Sequence, residues 1–388
     1  MATAPLSCQK DHFQLPEGLH YLNCAYMGPL PRVVEEAGVR ALRTKRDPTG
    51  IVPRDFFEES DRVREKFARI VGASDSSRIA IHPSVSYGVA TAARNLPLAR
   101  GARIVLVEEQ FPGNVYSWRR LASEAGAALH TVARPEGAQV GREWNERILD
   151  AITPVTEIVT LPTVHWTDGT RFDLPAIADR ARDVGAALVV DATQSCGAVP
   201  FDFEAVRPDV FMAAAYKWLL GPYSLAFTYL GDRFDHGTPL EETWIGRKGS
   251  EDFKGLVHYT DEYQPGAIRY DVGERSNFAL LPAASVALDL ILQWSPARIA
   301  EYVRRLAGPL LNRAAELGFG VEEDAFRSPH LFGLKMPEGL VLEDVRNALE
   351  ERRVFVSLRG SSLRISPNVY NSGDDVEALL DALEGLTR

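Results

Sequence analysis

The sequence predicts an α/β protein in which a mostly parallel, doubly wound sheet forms a large domain and a smaller α+β domain follows it. Apolar runs of buried-strand length alternate with helical patterns from residue 79 to residue 230, as they do where helices connect parallel strands. From Pro296 onward, a long helix is followed by short strands and helices, which is typical of a small α+β domain. A chain of 388 residues is long enough for both. We expect the large domain at residues 18–275 and the small domain at 276–388, with residues 1–30 packed near the functional site and the small domain.

The elements are predicted in order from the spacing of apolar residues. In the large domain, helices are expected at residues 32–46, 55–71, up to 95, 114–125, 143–152 and 174–184, and strands at 78–81, 102–107, 129–133, 156–161, 188–190 and 209–215. Beyond them, helices are expected at 279–294, 296–317, 342–351 and 374–386, and strands at 330–336, 354–357 and 363–365. Residues 232–268 are charged and irregular, which indicates a long surface excursion near the site.

The composition is that of an ordinary soluble globular protein, with 45% hydrophobic and 25% charged residues. A net charge of −10 argues against nucleic acid as the main partner, because phosphate binding needs an excess of Lys and Arg on one face. No window approaches the roughly 18 unbroken apolar residues of a membrane-spanning helix, so no membrane partner is expected. The N-terminal stretch has no apolar signal region. Cys8, Cys24 and Cys196 do not make a disulfide framework, so we expect a cytoplasmic protein with reduced thiols.

Two strand ends carry the ionisable residues on which the functional interpretation depends. The run at 188–190 ends in Asp191, and the run at 209–215 ends in Tyr216 and Lys217. Open α/β sheets bind ligands at the carboxyl ends of their strands, so both residues reach one crevice. An acid and a lysine there suit pyridoxal 5'-phosphate (PLP): the lysine carries the aldehyde as a Schiff base, and the acid keeps the pyridine nitrogen protonated. Taken singly, Asp191 could be a helix N-cap and Lys217 a surface residue.

Together, the two segments resemble the class V aminotransferase family of PLP enzymes. They read Asp-Ala-Thr-Gln-Ser-x-Gly-x-x-Pro and Tyr-Lys-Trp-Leu-x-Gly-Pro, each after a strand. Relatives in this family include cysteine desulfurases, selenocysteine lyases, kynureninases and isopenicillin N epimerase-like proteins. The resemblance runs from about residue 22 to residue 382, and it implies the PLP-dependent fold type I with Lys217 as the Schiff-base lysine. It also implies that Gln194 hydrogen-bonds the phenolic oxygen of the cofactor and that Tyr216 belongs to the cofactor site.

A strand, a small-polar turn and a helix follow one another around Ser84, Val85 and Ser86. Such a turn offers free N–H groups and the positive end of a helix dipole to an anion. Either serine would serve equally well as a plain N-cap. The family places its cofactor-phosphate loop at this point of the chain, which implies that Ser84, Val85 and Ser86 hold the phosphate.

Three further residues follow strand ends and are implicated by the resemblance. Phe111 lies in a motif, Phe-Pro-x-(Asp/Asn), that resembles the one in kynureninases. The resemblance implies that Phe111 stacks on the pyridine ring. His165 and Trp166 lie where relatives carry residues that touch the cofactor or the substrate. His165 is therefore a candidate general acid or base, although a histidine satisfied by hydrogen bonds within the protein is an equal alternative.

The small domain carries the motif Arg-(Val/Ile/Ala)-Ser-x-x-x-Tyr-Asn, which begins here at Arg364. The family's arginine grips the α-carboxylate of the substrate, for which a planar, bidentate guanidinium is suited. The resemblance also places the segment that contains Asn23 and Tyr26 in the substrate pocket. The turn that contains Asn277 reaches the phosphate of a neighbouring subunit in this family, which implies a homodimer.

PLP fixes the cofactor but leaves the reaction open. We favour an enzyme for a free α-amino acid, either an aminotransferase or a C–S or C–C β-lyase, and keep an amino-acid epimerase or racemase as the alternative. A catalytically silent PLP-binding module is disfavoured because the residues of the catalytic site are all present, namely Asp191, Gln194, Lys217 and Arg364. A persulfide-forming desulfurase is disfavoured because residues 355–362 contain no cysteine, unless Cys24 takes its place. No metal ligand set is expected.

Overall fold

The computed structural model describes residues 4–386. Within them the strands are β1 (His20–Tyr21), β2 (Ile79–His82), β3 (Arg103–Val107), β4 (Ala128–Val132), β5 (Thr156–Pro162), β6 (Ala187–Asp191), β7 (Val210–Ala214), β8 (Ala226–Leu230), β9 (Phe332–Lys335), β10 (Val354–Phe355), β11 (Ser357–Arg359) and β12 (Ser362–Ile365). The α-helices are α1 (Arg32–Thr44), α2 (Glu58–Val71), α3 (Val85–Asn95), α4 (Tyr116–Ala125), α5 (Gly141–Ala151), α6 (Leu174–Val184), α7 (Phe203–Val206), α8 (Leu280–Trp294), α9 (Pro296–Glu316), α10 (Leu342–Glu351) and α11 (Gly373–Leu386).

The central sheet has seven strands in the order β2-β8-β7-β6-β5-β3-β4. The strands from β7 to β4 run parallel, and β8 is antiparallel to both of its neighbours. β6 and β7 are buried along their whole length, which explains why they read as continuous apolar runs. This confirms the predicted α/β fold with a mostly parallel sheet. Because parallel strands end at one edge, the residues that follow β5, β6 and β7 meet there.

Successive side chains along a strand of the sheet point to opposite faces and pack into two separate cores. In β6, Leu188 and Val190 belong to a core that includes helices α2, α5, α6 and α8, whereas Ala187 and Val189 belong to a core with α3 and α4. Helices therefore cover both faces of the sheet, which is the doubly wound arrangement. The edge strand β4 is more exposed than the central strands.

A third core holds the smaller α+β domain together. Helices α9, α10 and α11 pack on the antiparallel sheet β11-β12-β9. Helix α8 behaves differently, because Leu281, Leu288 and Trp294 are buried in the core of the large domain. The chain turns sharply after α8 at Ser295, which has a φ of 66°. We therefore propose to place the domain boundary after α8 instead of between residues 275 and 276.

The N-terminal segment joins both domains. β1 pairs in parallel with β10 of the small domain, and Asn23 forms a bridge with Ser366. A few residues later, Gly28 donates its N–H to the carbonyl of Tyr216 at 2.9 Å. This segment thus lies between the small domain and the turn that carries Lys217.

Most element bounds differ from the predicted ones by one or two residues. The predicted strand at 354–357 is instead two short strands, β10 and β11, of which β10 pairs with the N-terminal segment. Sequence periodicity cannot show such a change of partner, since it depends on a segment more than 300 residues away. Among the described residues, no single helix is long and apolar enough to cross a membrane; only α8 and α9 taken together, across a 69° bend, meet that test of length and composition.

Candidate active site

A cavity of about 190 Å³ lies at the carboxyl ends of β5, β6 and β7. The N-terminus of α3 and the loop after β3 form its other walls. Most of the predicted cofactor ligands line it, namely Ser84, Val85, Ser86, Phe111, Trp166, Asp191, Gln194, Tyr216 and Lys217. The fold therefore brings together residues that are up to 133 positions apart in sequence, from 84 to 217.

Asp191 is the last residue of β6 and is buried in the wall of the cavity. Its Oδ1 accepts a hydrogen bond from the backbone N–H of Thr193 at 3.0 Å. Burial raises the pKa of Asp191, while the contacts with Thr193 and the charge of Lys217 oppose this shift. A protonated ring nitrogen placed against this carboxylate would offset the energetic cost of its buried negative charge. This fits the role predicted for Asp191.

Lys217 is also buried, three residues beyond the end of β7. Burial lowers the pKa of its amine from 10.5 to about 8, although the charge of Asp191 works in the opposite direction. The positive charges of Arg364 and Arg359 contribute to the lowering. A larger fraction of this amine is neutral near physiological pH than of an exposed lysine, and the neutral amine is the nucleophile that a Schiff base requires.

A tight turn and a closely packed glycine fix the position of Lys217. The turn is closed by a hydrogen bond from the N–H of Gly221 to the carbonyl of Ala215 at 2.9 Å. On its other side lies Gly28, where a Cβ would lie 2.2 Å from the carbonyl oxygen of Lys217. Only glycine allows the N-terminal segment to approach the turn this closely.

The N-terminus of α3 forms a cradle suited to an anion. Ser84 is the N-cap, and its Oγ accepts from the N–H of Tyr87 at 3.2 Å, while Val85 and Ser86 begin the helix. Gly113 faces this cradle, and a Cβ there would lie 2.9 Å from Oγ of Ser86. The space that this glycine leaves open and the N–H groups of the first helical turn match the needs of a phosphate group.

Aromatic side chains border the lysine. The Nζ atom of Lys217 lies 5.5 Å from the ring centres of both Phe111 and Tyr216. Trp166 meets Phe111 edge to face at 5.6 Å, and its indole N–H donates to the carbonyl of Glu109 at 2.6 Å. Phe111 remains 43% exposed towards the cavity, so its ring is available to pack against a planar ligand.

Polar side chains in the wall have unused hydrogen-bonding capacity. The Nε2 of Gln194 donates to the carbonyl of Ala25 at 3.2 Å and its Oε1 accepts from Trp218, which leaves one amide hydrogen for a ligand. Oγ1 of Thr193 and Nε2 of Gln110 are buried without any partner among the described residues. Buried polar groups are normally satisfied, so these atoms indicate a polar ligand, as PLP would be. The site residues present fit PLP.

Sequence reasoning missed Thr193 and Gln110. Each is adjacent to, or two positions from, a predicted site residue, so proximity to Phe111 and Asp191 was the available signal. Their importance becomes visible only from the absence of a partner in the folded chain.

His165 does not face the cavity. Its ring is fully buried, with Nδ1 2.7 Å from Oγ1 of Thr167 and Nε2 3.2 Å from the carbonyl of Glu108, and it packs 4.9 Å from the ring of Trp144. Burial lowers the pKa of His165, so the ring is neutral at physiological pH. Both ring nitrogens have partners within the protein. His165 therefore matches the alternative interpretation, a histidine whose hydrogen bonds are satisfied by the protein itself. We therefore assign His165 no acid-base role.

Arg364 is almost completely buried beside the cavity, and no carboxylate of the described residues pairs with it. Its Nη1 donates to the carbonyl of Trp166 at 2.9 Å, and its Nη2 donates to Oγ of Ser357 at 3.0 Å and reaches Oδ1 of Asn23 at 3.5 Å. Nε is buried and has no partner. Burial, with the charge of Arg359, lowers the pKa of Arg364 to about 10. A buried guanidinium held only by neutral groups lacks its counter-ion.

The other predicted residues lie at greater distance from the cavity wall. Asn23 is buried and supports Arg364, whereas Tyr26 is 61% exposed and does not line the cavity. Asn277 is exposed and caps α8 by accepting from the N–H groups of Ala279 and Leu280. Within one chain Asn277 is therefore not a cofactor ligand, and its predicted contact with a neighbouring subunit stays a prediction.

None of the cysteines lines the cavity. Cys24 is buried behind it, where Nδ2 of Asn368 donates to its Sγ at 3.3 Å, and burial raises the pKa of this thiol to about 12. Cys196 is buried as well, and Cys8 is exposed on another part of the chain. In residues 4–386, no three His, Cys, Asp or Glu side chains are grouped so that they could hold a metal ion.

A family model described as Aminotransferase class-V matches residues 53–379. Among curated proteins, the isopenicillin N epimerase of Streptomyces clavuligerus is 26% identical over 406 aligned positions, covering 100% of both chains. A probable cysteine desulfurase of Methanothermobacter thermautotrophicus is 30% identical, covering 94% of each chain. Among solved structures, the cysteine desulfurase CsdA of Escherichia coli superposes with a TM-score of 0.82 at 19% identity, covering 97% of each chain. At that identity the superposition shows the fold.

Proposed function

The chain belongs to the class V aminotransferase family of PLP-dependent enzymes, and we propose that it acts on a free α-amino acid, as an aminotransferase or as a C–S or C–C β-lyase. The relatives it resembles catalyse different reactions, so family membership alone fixes the cofactor and leaves the reaction open. The choice between reactions must therefore come from the side chains of this chain.

One observation carries the substrate class. Within residues 4–386, Arg364 is a buried cation without a carboxylate partner, and its charge lowers the pKa of Lys217. Leaving a charge buried and unpaired is costly, so the position is best explained by an anionic ligand that supplies the missing partner. An α-carboxylate bound by Arg364 would bring the substrate amine towards Lys217.

The proton chemistry is assigned to two residues. When bound, PLP withdraws electrons from the bonds to the substrate Cα. Asp191 holds a proton at the pyridine nitrogen, which sustains that withdrawal, and Lys217 as a neutral amine takes the proton from Cα. Phe111 and Trp166 line the site with side chains that have no proton to transfer at physiological pH. They also keep water away from Lys217.

The alternative reactions have less support. Epimerisation needs a second group that returns a proton to the opposite side of Cα, and besides Lys217 and Asp191 the titratable side chains in the wall are two tyrosines. Burial raises the pKa of one of them, Tyr216, to about 12, which makes its hydroxyl a weak proton donor. A persulfide-forming desulfurase needs an accessible thiol, but Cys24 is buried with a raised pKa and lies outside the cavity wall.

A homodimer belongs to the same proposal. Tyr26, Leu30, Val33 and Leu42 expose large apolar side chains along one stretch of the N-terminal region and α1. Tyr223 does the same at the rim of the cavity. Exposed apolar groups in such number favour a protein interface, and a second copy would bring the turn at Asn277 near a neighbouring site.

The test of the reaction type is a panel of amino acids incubated with the PLP-loaded enzyme in deuterated water. A C–S β-lyase releases keto acid, ammonia and a thiol, whereas a hydrolytic C–C β-lyase releases a shortened amino acid together with a carboxylic acid from the side chain. An aminotransferase releases keto acid without ammonia and turns over repeatedly only when an acceptor keto acid is added. Deuterium at Cα of an inverted amino acid, with neither product, would contradict the proposal and support the epimerase.

The test of the substrate class is Arg364→Lys, which keeps the charge and loses the fork of two hydrogen bonds. Charge-assisted hydrogen bonds are worth about 1.5–3 kcal/mol each, so we expect KM for the amino acid to rise roughly tenfold or more with an unchanged PLP absorbance. Arg364→Ala should be worse for amino acids and nearly neutral for the corresponding amines, which have no carboxylate. An equal penalty on amino acid and amine would show that Arg364 only stabilises the fold.

A further inference from the structure

Arg359 is a second cation near the cavity that the roles assigned above leave unused. It is the last residue of β11 and is half-buried, with its guanidinium 5.3 Å from the ring centre of Trp166. Its Nη1 donates to the carbonyl of Leu358 at 2.9 Å, and its Nε is buried without a partner. In the part of the chain that the structure describes, no carboxylate pairs with it. Like Arg364, it is a cation without a counter-ion.

The register of the small sheet points both arginines to the same side. Ser357 lies directly opposite Arg364 in the antiparallel pair β11–β12, so these two side chains share a face. Arg359 follows Ser357 by two positions and therefore projects from that face as well. Diagonal neighbours of this kind lie about 7–8 Å apart, so the two guanidinium groups can bind two anions on one small molecule.

A groove of about 1000 Å³ lies next to the cavity, between the two domains, and Arg359 is part of its lining. Gln110 and Trp166 line both the cavity and the groove, so the two spaces are adjacent and share these two side chains as a common wall. The other arginine in the groove, Arg134, is already neutralised by ion pairs with Asp168 and, at 3.7 Å, with Glu109. Among the described residues, Lys335 and Arg359 are the groove cations without an ion pair, and of these two Arg359 is the one that contacts Trp166, the side chain shared with the cavity.

We propose that Arg359 binds an anionic group on the side chain of the substrate, so that the enzyme selects amino acids with a second carboxylate. This inference rests on the proposed function, since it takes the α-carboxylate to be bound by Arg364. A substrate side chain that extends from Lys217 past Trp166 would reach Arg359 at the edge of the adjacent groove, and the face of the Trp166 ring pre-orients that guanidinium. The preferred class is an α-amino acid with a carboxylate at the end of its side chain.

The experiment compares acid and amide pairs, aspartate with asparagine and glutamate with glutamine, as substrates of the PLP-loaded enzyme. We expect kcat/KM of the wild type to favour the acid by roughly tenfold or more, as one charge-assisted hydrogen bond would give. In Arg359→Gln this preference should fall to about one, while kcat/KM for the amide changes little. Lys335→Gln is the matched control, because it removes another positive charge from the groove and should leave the preference intact.

A binding measurement makes the test independent of turnover. Calorimetric titration of the PLP-loaded enzyme with glutarate, and with the same molecule carrying one amide, should show tighter binding of the dicarboxylate to wild type and equal binding to Arg359→Gln. Equal binding of both ligands to the wild type would overturn the inference. So would a loss of both ligands to the same extent in Arg359→Gln, because Arg359 would then only hold Trp166 or share the α-carboxylate. Failure of the proposed function would give a different result from failure of this inference. No amino acid would be turned over, while the titration would still measure whether Arg359 binds the second carboxylate.

Discussion

At the scale of single residues, the chemistry depends on how burial changes two ionisable groups. Lys217 and Asp191 sit in the same wall, and burial shifts each towards its neutral form while the charge of the other opposes that shift. The pair therefore provides an amine that is nucleophilic near physiological pH and a carboxyl group ready to stabilise a positive charge. Neither property belongs to the residue type alone.

The lowered pKa of Lys217 predicts how PLP uptake depends on pH. Because the neutral amine attacks the aldehyde, the rate of PLP attachment to the apo protein should rise about tenfold per pH unit below pH 8 and level off above it. A lysine with the ordinary pKa of 10.5 would show the rise for about two and a half further pH units. The rate is read from the absorbance of the attached cofactor, and borohydride reduction followed by peptide mapping should place the adduct on Lys217. An adduct on another lysine would refute the assignment.

Asp191→Asn should keep the cofactor and lose the reaction. A neutral amide cannot hold the proton at the pyridine nitrogen, while the phosphate cradle at Ser84–Ser86 is untouched. We expect PLP occupancy near that of the wild type and a kcat lower by roughly a hundredfold or more, or about 3 kcal/mol in the barrier. Asp173→Asn is a matched control, since Asp173 only caps α6 and asparagine caps equally well. Wild-type turnover in Asp191→Asn would remove this residue from the mechanism.

Residue positions at strand ends could be predicted from sequence, but side-chain orientation could not. Asp191 and Lys217 follow recognisable buried runs, and those runs place them at one edge of the sheet. His165 follows such a run too, yet its ring turns into the protein, where Thr167 and Glu108 satisfy it. Thr167 is a local partner, but Glu108 comes from another loop, and the local sequence does not encode that second contact.

At the scale of elements, the N-terminal segment behaves as part of the site. It pairs with the small domain through β1 and contacts the Lys217 turn through Gly28. The long alternating region was predictable because parallel strands are continuously apolar and helices separate them. The pairing of β1 with β10 was not, since two-residue strands carry no periodicity.

Gly28→Ala should disturb the site without changing any chemical group. The added Cβ would lie 2.2 Å from the carbonyl oxygen of Lys217, so the segment or the turn must move. Overpacking of this kind costs about 1–3 kcal/mol of unfolding free energy, and we expect a matching loss in denaturant titrations together with slower PLP attachment. Gly38→Ala, within helix α1, is the control, because its Cβ would make only ordinary contacts, 3.5 Å from Cβ of Ala283 and 3.9 Å from the carbonyl of Ala279, and should raise stability slightly. Equal behaviour of the two variants would contradict the role of Gly28.

At the scale of the whole molecule, the two domains form the proposed substrate site jointly. The large domain supplies Lys217, Asp191 and the phosphate cradle, and the small domain supplies Arg364 and Arg359. A substrate that binds both would hold the domains together across the groove, so ligand affinity and domain arrangement are coupled. We propose that a second copy of the chain also contributes to the site, through the turn at Asn277.

Leu42→Glu should separate the proposed dimer. Leu42 is 65% exposed on α1, and a carboxylate there would be unpaired if a second copy covers this surface. We expect sedimentation velocity to show a dimer for the wild type and a shift towards monomer for the variant. PLP binding should weaken in parallel, because the turn at Asn277 would no longer reach the neighbouring site. Val341→Glu is the control, since Val341 is 55% exposed on the small domain and its substitution should change neither property. A wild-type protein that sediments as a fully active monomer would show that the site is complete within one chain, and Asn277 would then be a helix cap only.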